Sequence, residues 1–212
     1  MIPKVIHQIW LGDQGKRPTP LMETWRDMNP AWEYKIWTEE NLPELRCQAQ
    51  FDAMEELAGK ADILRYEILL NEGGFYIDAD SKCILPLPDF FLNNECFCCW
   101  ENEETRGGLM ANGYLGSIPG NKLILDIVDT ISTLDAASIA QLPDLMAWQV
   151  TGPSLLTATV NRLGYPIKIY PSFHFIPKHY SGSEYRGAGK IYGEQYYMST
   201  PPSGRSYEEF RS

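Results

Sequence analysis

The sequence lacks several features that would place it in a common class of protein. No window of about eighteen residues is continuously apolar, so no transmembrane helix is predicted. The first ten residues, MIPKVIHQIW, have neither the basic segment nor the long apolar segment of a secretory signal. There is no lysine- or arginine-rich run, and the net charge is −10. A nucleic-acid partner is therefore not expected.

Cysteine is also scarce, with five residues in 212, and three of them lie together in CFCCW at positions 96–100. An odd number without spaced pairs suggests neither a disulfide framework nor a structural zinc site. We interpret these cysteines as buried thiols of a strand, since free cysteine packs as a small apolar residue. This pattern favours a reducing, cytoplasmic location.

The sequence does contain short β-forming segments that alternate with helical ones. Strands are predicted at 4–10, 32–37, 75–77, 96–101 and 165–171, with an irregular strand region at 109–120. Helices are predicted at 19–30, 48–57, 60–74, 121–134 and 151–164. This alternation predicts a single α/β domain with helices on both faces of a sheet. We assign the domain to residues 1–185 and a tyrosine-rich C-terminal tail to residues 186–212.

The stretch GGFYIDADSK, residues 73–82, ends a predicted strand in two acids, Asp78 and Asp80. Residues i and i+2 of a strand point the same way, so both carboxylates can face one point at the edge where α/β sheets bind ligands. Two carboxylates suit a hard divalent cation, which could neutralise a phosphate that an acidic protein would repel. An isolated D-x-D is also common in solvated turns, and the pair alone leaves that alternative open.

The helix before this strand carries Asp62 and Arg65, three residues apart and therefore on one face. Because that helix leads into the strand through Gly73 and Gly74, this face can border the acidic pair. An ordinary surface ion pair, with Asp62 near the start of the helix, is the alternative that spacing leaves open.

Four segments in this order, IPKVIHQIWLG, NPAWEYKIW, ADILRYEILLNEGGFYIDAD and TGPSLLT, resemble glycosyltransferase family 32, whose sugar-binding region contains a DXD motif. That family includes yeast-type α-mannosyltransferases and bacterial capsule and lipopolysaccharide enzymes, and the glucosylating domains of clostridial toxins are distant relatives. The match runs from residue 2 to about residue 160. It implies a GT-A fold, a Rossmann-like mixed sheet flanked by helices, that binds a UDP- or GDP-sugar. It also implies a divalent cation under the diphosphate, Mn²⁺ first and Mg²⁺ as an alternative.

The resemblance also implies a role for individual residues. Asp62 and Arg65 match the pair that contacts the donor sugar and ribose, Asp78 would bind ribose and sugar hydroxyls, and Asp80 would ligate the metal directly. These four form the predicted catalytic set. Trp10 matches a position that borders or stacks on the nucleotide base, although a tryptophan at a strand end is often a core residue.

Two further residues follow from the same resemblance. The family completes its metal shell with a late residue, and KHYSGSEY offers His179 as a ligand beside Asp80 and Asp78. In this segment Tyr185 stands where a tryptophan is expected. Asn112, in MANGYLGS, matches a position that borders the donor sugar or the acceptor, although Asn-Gly is also an ordinary turn sequence.

The resemblance therefore implies a metal-dependent transferase that retains anomeric configuration and moves a hexose from a nucleotide-sugar to a hydroxyl of a glycan or glycolipid, in surface polysaccharide or other glycan synthesis. Such acceptors are often lipid-linked, so a peripheral contact with the inner face of a membrane is compatible with this prediction. Two alternatives stay open. One is a metal-dependent phosphohydrolase, and the other is a non-catalytic carbohydrate-binding module that uses the tryptophan and tyrosine surface.

Overall fold

The computed structural model describes residues 1–143, 146–185 and 187–198. Its strands are β1 (Val5–Ile9), β2 (Glu33–Trp37), β3 (Gly74–Ile77), β4 (Ser81–Cys83), β5 (Cys96–Trp100), β6 (Met110–Ser117), β7 (Lys168–Tyr170) and β8 (Gly193–Gln195). Six of them form a mixed sheet in the order β2-β1-β3-β6-β5-β7, and β4 pairs with β8 separately. β1 is parallel to β2 and β3, β6 is antiparallel to β3 and β5, and β7 is parallel to β5.

Helices cover both faces of this sheet, as predicted. They are α1 (Thr19–Met28), α2 (Gln48–Ala53), α3 (Leu57–Glu72), α4 (Lys122–Ser132), α5 (Ala136–Ile139), α6 (Ala147–Val150) and α7 (Pro153–Leu163). One apolar core lies between the sheet and α2, α3, α4 and α7, and the other includes Trp25 of α1 and the aromatic side chains of the opposite face. None of the helices in the described ranges has the length and apolar character needed to cross a membrane.

Helix α3 is the buried helix that places the site. Its apolar side chains Ile63, Leu64 and Leu69 are fully buried, and burying each contributes roughly 1.5–3 kcal/mol. The helix ends because Gly73 and Gly74 have positive φ angles of 66° and 101°, which favour glycine. The chain then turns back, and β3 carries its C-terminal end toward the first turns of α3.

Residues on β3 alternate between the two cores. Phe75 and Ile77 pack in the core on the α1 side, and Tyr76 packs against α3. The strand ends at Ile77, and a turn leads into β4, so Asp80 lies outside the strand. Side-chain alternation therefore does not extend from residue 78 to residue 80.

The structure differs from the predicted elements most clearly in two places. The region predicted to be an irregular strand is the longest regular strand, β6, and all eight of its residues are buried. Part of the predicted tail belongs to a sheet, since Ser81 of β4 pairs with Gln195 of β8. The tail prediction for residues 199–212 lies outside the described residues.

Candidate active site

Asp62 is the first residue of the continuously buried stretch of α3, residues 62–70, and is 5% exposed. Its Oδ1 accepts hydrogen bonds from Asn112 Nδ2 at 2.8 Å, and Arg65 Nη2 lies 3.0 Å from the same oxygen. Its Oδ2 accepts a hydrogen bond from Thr151 Oγ1 at 3.2 Å. Burial outweighs these stabilising partners and raises the pKa of Asp62 to about 6. A Cβ at Gly152 would lie 2.9 Å from Oδ2, so backbone also closes this side of the carboxylate.

Arg65 links Asp62 to the strand end. Its guanidinium lies 3.5 Å from Asp78 Oδ1 and is centred 4.3 Å from the middle of the Tyr76 ring. The Arg65 side chain is 6% exposed and that of Asp62 is 8% exposed. The two residues therefore form a buried ion pair next to β3, and the alternative of an ordinary surface pair is wrong.

Asp78 follows β3 directly and is held by its backbone as well as by its side chain. Its N–H donates to Gly113 O at 3.0 Å, and Gln8 Nε2 donates to its carbonyl at 3.1 Å. Its Oδ1 accepts a hydrogen bond from the Tyr76 hydroxyl at 2.9 Å. Any Cβ at Gly113 would overlap Asp78 Oδ2. The Asp78 side chain is 29% exposed, so this carboxylate connects the buried cluster to solvent.

Asp80 has different partners from Asp78, although strand alternation predicted that the two would face one point. Its Oδ1 accepts a hydrogen bond from Gln195 Nε2 at 2.7 Å, and its Oδ2 accepts one from Met198 N at 2.8 Å. Tyr196 N donates to its carbonyl at 2.9 Å. Burial, followed by the nearby charge of Asp78, raises the pKa of Asp80 to about 6. A distant segment of the chain therefore covers this carboxylate.

His179 lies beside the same segment and is 2% exposed. Its Nδ1 lies 2.8 Å from Ser181 Oγ, and its Nε2 has no hydrogen-bond partner within the described ranges. That nitrogen is 3.6 Å from Glu101 Oε1, and the Tyr197 hydroxyl lies 3.5 Å from the same oxygen. The Tyr197 ring is 5.7 Å from the His179 ring. The backbone of Tyr197 has a φ of 53°, which is unusual for a residue other than glycine.

These residues fit a divalent cation by their chemistry. Asp80 is a half-buried carboxylate without a cationic partner among the described residues, and His179 offers a buried nitrogen without a hydrogen bond. Carboxylate and imidazole are both suitable ligands for Mn²⁺. In the part of the chain that the structure describes, however, no three His, Cys, Asp or Glu residues are gathered as a ligand set. The complete set of Asp80, Asp78 and His179 stays a prediction.

Trp10 lies just past the C-terminal end of β1 and is partly exposed, outside both apolar cores. Its indole N–H donates to Asp13 O at 3.0 Å. A core role is therefore not observed for this residue, and its contact with a nucleotide base stays a prediction. Asn112 is 6% exposed, and its Nδ2 also lies 3.2 Å from the Tyr66 hydroxyl, so the Asn-Gly pair lies within a buried strand and not in a surface turn.

Sequence reasoning missed several residues that hold this site. Tyr76 could have been found, because it lies two residues before Asp78 and shares its face of the strand. Thr151 begins a segment that carried the family resemblance, yet no contact with Asp62 was predicted for it. Gln195 and Met198 gave no local signal, since only tertiary structure brings them to Asp80.

The three cysteines of CFCCW are buried in β5, as predicted. Cys47 and Cys83 are also free and buried, and burial raises the pKa values of all five thiols. Thiols with raised pKa values are poor nucleophiles and poor metal ligands at neutral pH. They therefore contribute packing and not chemistry.

A family model described as the glycosyltransferase sugar-binding region containing a DXD motif matches residues 15–98, which include Asp62, Arg65, Asp78 and Asp80. Inositol phosphoceramide mannosyltransferase 3 of Schizosaccharomyces pombe is 28% identical over 163 residues, which are 74% of this chain and 44% of that protein. The chain thus spans about half the length of the curated relatives it matches.

Two solved structures share the fold. The PaToxG glycosyltransferase has a TM-score of 0.59 at 17% identity, covering 76% of this chain and 70% of that one. The UDP-bound glycosyltransferase domain of the YGT toxin has a TM-score of 0.57 at 12% identity, covering 80% and 79%. At these identities the likeness concerns the fold alone, and it confirms the predicted GT-A class.

Proposed function

We propose that the chain is a glycosyltransferase with a DXD-containing sugar-binding region, and that it moves a hexose from a UDP- or GDP-sugar to a hydroxyl of a glycan or glycolipid. The observation that carries the proposal is the buried cluster of Asp62, Arg65, Asp78 and Asn112, in which every charged group has a partner. Buried polar groups held in this way suit the recognition of sugar hydroxyls. A ligand that lacks the matching hydroxyl would leave these groups without a hydrogen bond, which costs binding free energy.

We propose mannose as the first hexose to test. The relative from Schizosaccharomyces pombe is named a mannosyltransferase, and its inositol phosphoceramide acceptor is a phosphate-bearing lipid by name. Because this chain spans less than half of that protein, both donor sugar and acceptor are proposals here.

Each residue of the cluster would act on the donor in a different way. Asn112 and Asp62 offer an amide and a carboxylate to sugar hydroxyls, and Thr151 and Arg65 hold the Asp62 carboxylate in place. Asp78, the most exposed of the acids, would accept hydrogen bonds from ribose or sugar hydroxyls. Such fixed groups lose little freedom when the donor binds, which favours a reactive geometry.

We propose that transfer retains configuration by a front-face route. The bond between the anomeric carbon and the phosphate oxygen breaks, the acceptor oxygen bonds to the same face, and its proton passes to the departing phosphate oxygen. This route requires no protein base. A divalent cation held by Asp80, with Asp78 and His179 as the other proposed ligands, would supply Lewis-acid neutralisation of the diphosphate.

A ligand screen with a transfer assay tests the proposal. Thermal unfolding is measured with UDP- and GDP-sugars, with Mn²⁺ or with a chelator, and products on glycan and glycolipid acceptors are identified by mass spectrometry. A ligand that binds only the native state raises the unfolding temperature, so we expect one nucleotide-sugar to do so with Mn²⁺ only.

The same experiment separates the two alternatives. Cleavage of the donor onto water at a rate unaffected by acceptors would favour the phosphohydrolase. Glycan binding in chelator, without any response to nucleotide-sugars, would favour the carbohydrate-binding module. Either result would contradict the transferase proposal.

A further inference from the structure

Arg106 is a partly buried cation in the turn between β5 and β6. Its guanidinium carbon lies 5.6 Å from the centre of the Trp148 ring and 5.8 Å from that of the Tyr180 ring, and one N–H donates to the Tyr180 hydroxyl. No carboxylate of the described residues lies within ion-pair distance of it. Four other arginines do have a carboxylate partner: Arg26, Arg46, Arg65 and Arg162.

The Trp148 side of this arrangement adjoins the sugar-binding cluster. A Cβ at Gly152 would lie 2.7 Å from Trp148 Cα and 2.9 Å from Asp62 Oδ2, so the two residues contact the same backbone position. The Trp148 side chain extends from α6 toward solvent and is 37% exposed. Arg106 therefore stands at the rim beside Asp62.

The Tyr180 side adjoins the segment that covers Asp80. The Tyr180 ring lies 4.0 Å from the His179 ring and 5.4 Å from the Tyr197 ring. Met198, the next residue along, donates its N–H to Asp80. Arg106 thus joins the two sides of the site across its rim.

The chemistry of the guanidinium leaves it able to bind a ligand. Arginine has five N–H donors, of which Tyr180 accepts one, and aromatic rings contact its faces without using the donors at its edge. A planar fork of N–H groups matches a phosphate, which it can bind through two oxygens. In a chain of net charge −10, a cation that has no carboxylate partner in the described part of the chain is a local site of attraction for an anion.

We propose that Arg106, framed by Trp148 and Tyr180, is a phosphate-binding subsite at the rim of the active site. The phosphate could come from two sources, the diphosphate of the donor or a phosphate group on the acceptor. The assignment of this phosphate to a substrate rests on the proposed function, whereas the binding of an anion by Arg106 does not.

Equilibrium binding tests the subsite without catalysis. Isothermal titration in chelator compares glucose 6-phosphate with glucose, and inorganic phosphate serves as a second anionic probe. For Arg106→Gln we expect phosphate-bearing probes to bind about tenfold more weakly or worse, because a charge-assisted hydrogen-bond pair is lost. Arg106→Lys keeps the positive charge but loses the planar pair of N–H donors, so its affinity for the phosphate probes should lie between those of the wild type and Arg106→Gln.

Matched variants separate recognition from simple loss of charge or structure. Arg46→Gln removes an exposed arginine elsewhere on the molecule and should leave glucose 6-phosphate binding unchanged. Tyr180→Phe keeps the ring and removes the hydroxyl, so it tests the arrangement should Arg106→Gln fold poorly. It should weaken binding of the phosphate probes by only a few-fold.

UDP binding in Mn²⁺ assigns the source of the phosphate. If Arg106→Gln binds UDP as the wild type does, the subsite receives an acceptor phosphate; if it binds UDP more weakly, the donor diphosphate is the ligand. Equal binding of glucose 6-phosphate by wild type and Arg106→Gln would overturn the subsite, as would an equal loss in Arg46→Gln. Absence of any transfer by the wild type would contradict the proposed function but not this binding result.

Discussion

Two groups of wholly or partly buried acids lie side by side in this molecule, and they are held in different ways. The first, the Asp62 cluster, consists of Asp62, Arg65, Asp78 and Asn112, and it contains its own cation. The second, the Asp80 cluster, consists of Asp80, Glu101, His179, Gln195 and Tyr197, and its contacts come from neutral N–H and O–H groups and one imidazole.

This difference in how the charges are compensated suggests that the Asp62 cluster recognises the donor and that the Asp80 cluster binds a cation. A buried charge is costly without an opposite charge, and Arg65 supplies that charge within the Asp62 cluster. The cluster is thus complete before any ligand arrives, as a rigid recognition surface must be. Asp80 instead relies on hydrogen bonds from Gln195 and Met198 N, which only partly offset desolvation of its charge. An arriving cation would complete the second group.

The strongest test of this contrast is Asp80→Asn. We expect transfer to fall by about 10³-fold or more and its dependence on Mn²⁺ to disappear, because the carboxylate ligand is lost. The free energy of unfolding without metal should change by only about 1 kcal/mol, since an amide avoids burying a charge while keeping an oxygen acceptor. Transfer rates and urea unfolding measure the two effects. Full activity from folded Asp80→Asn would show that Asp80 does not bind the metal.

Arg65→Gln breaks the other group by leaving Asp62 and Asp78 without their cation. Removing one partner of a buried ion pair leaves an uncompensated charge, so we expect a loss of about 3–5 kcal/mol in the free energy of unfolding. Arg26→Gln is the control, because Arg26 pairs with Glu23 at the surface, where water screens the interaction, and its loss should change the free energy of unfolding far less. Similar losses in both variants would contradict the description of the Asp62 cluster as a buried, self-compensated group.

The two groups also differ in how far sequence could predict them. Asp62 and Arg65 lie on one helix face, and Asp78 follows the next strand, so local spacing brings the three together once the helix and strand are known. Asp80 lies on a turn and receives its hydrogen bonds from residues more than a hundred positions away. No local pattern encodes such contacts.

The same distinction applies to the fold. The strongly periodic α4 and α7 begin and end close to their predicted bounds, since the Asn121 side chain caps α4 and Gly164, with a φ of 57°, ends α7. Strands β4 and β8 have three residues each and pair residues 81–83 with 193–195, so neither periodicity nor length could reveal them. β6 was predicted irregular because its glycines hid a fully buried strand.

The pH dependence of stability should separate the two groups further. Asp62 and Asp80 have folded-state pKa values raised to about 6, above the unfolded value near 3.9. Between those values the folded state binds more protons, so each residue's contribution is complete below about pH 4 and declines as pH rises to about 6. The decline amounts to at most about 3 kcal/mol for each group.

Urea unfolding in chelator from pH 4 to 7 measures this decline in wild type, Asp62→Asn and Asp80→Asn. Each substitution should remove part of the slope. Saturating Mn²⁺ should remove the part of the pH slope that comes from Asp80, because the cation favours the ionised form of that carboxylate. The part of the slope that comes from Asp62 should stay. A slope that neither substitution reduces would contradict the raised pKa values.

The smallest effect should come from Gly113→Ala, which changes the geometry of the Asp62 cluster without changing its charge. A Cβ at this position overlaps Asp78 Oδ2, so the Asp78 carboxylate must move relative to Arg65 and Tyr76. We expect a stability loss of about 1–2 kcal/mol, and a KM for the donor that rises about tenfold with a smaller change in kcat. Gly107→Ala is the control, because a Cβ there would meet only Glu103 O at an ordinary 3.5 Å. A normal donor KM in folded Gly113→Ala would mean that the position of Asp78 does not matter for donor binding. Recognition would then depend on Asp62 and Asn112, and the Asp62 cluster would have to be divided into a binding part and a purely structural one.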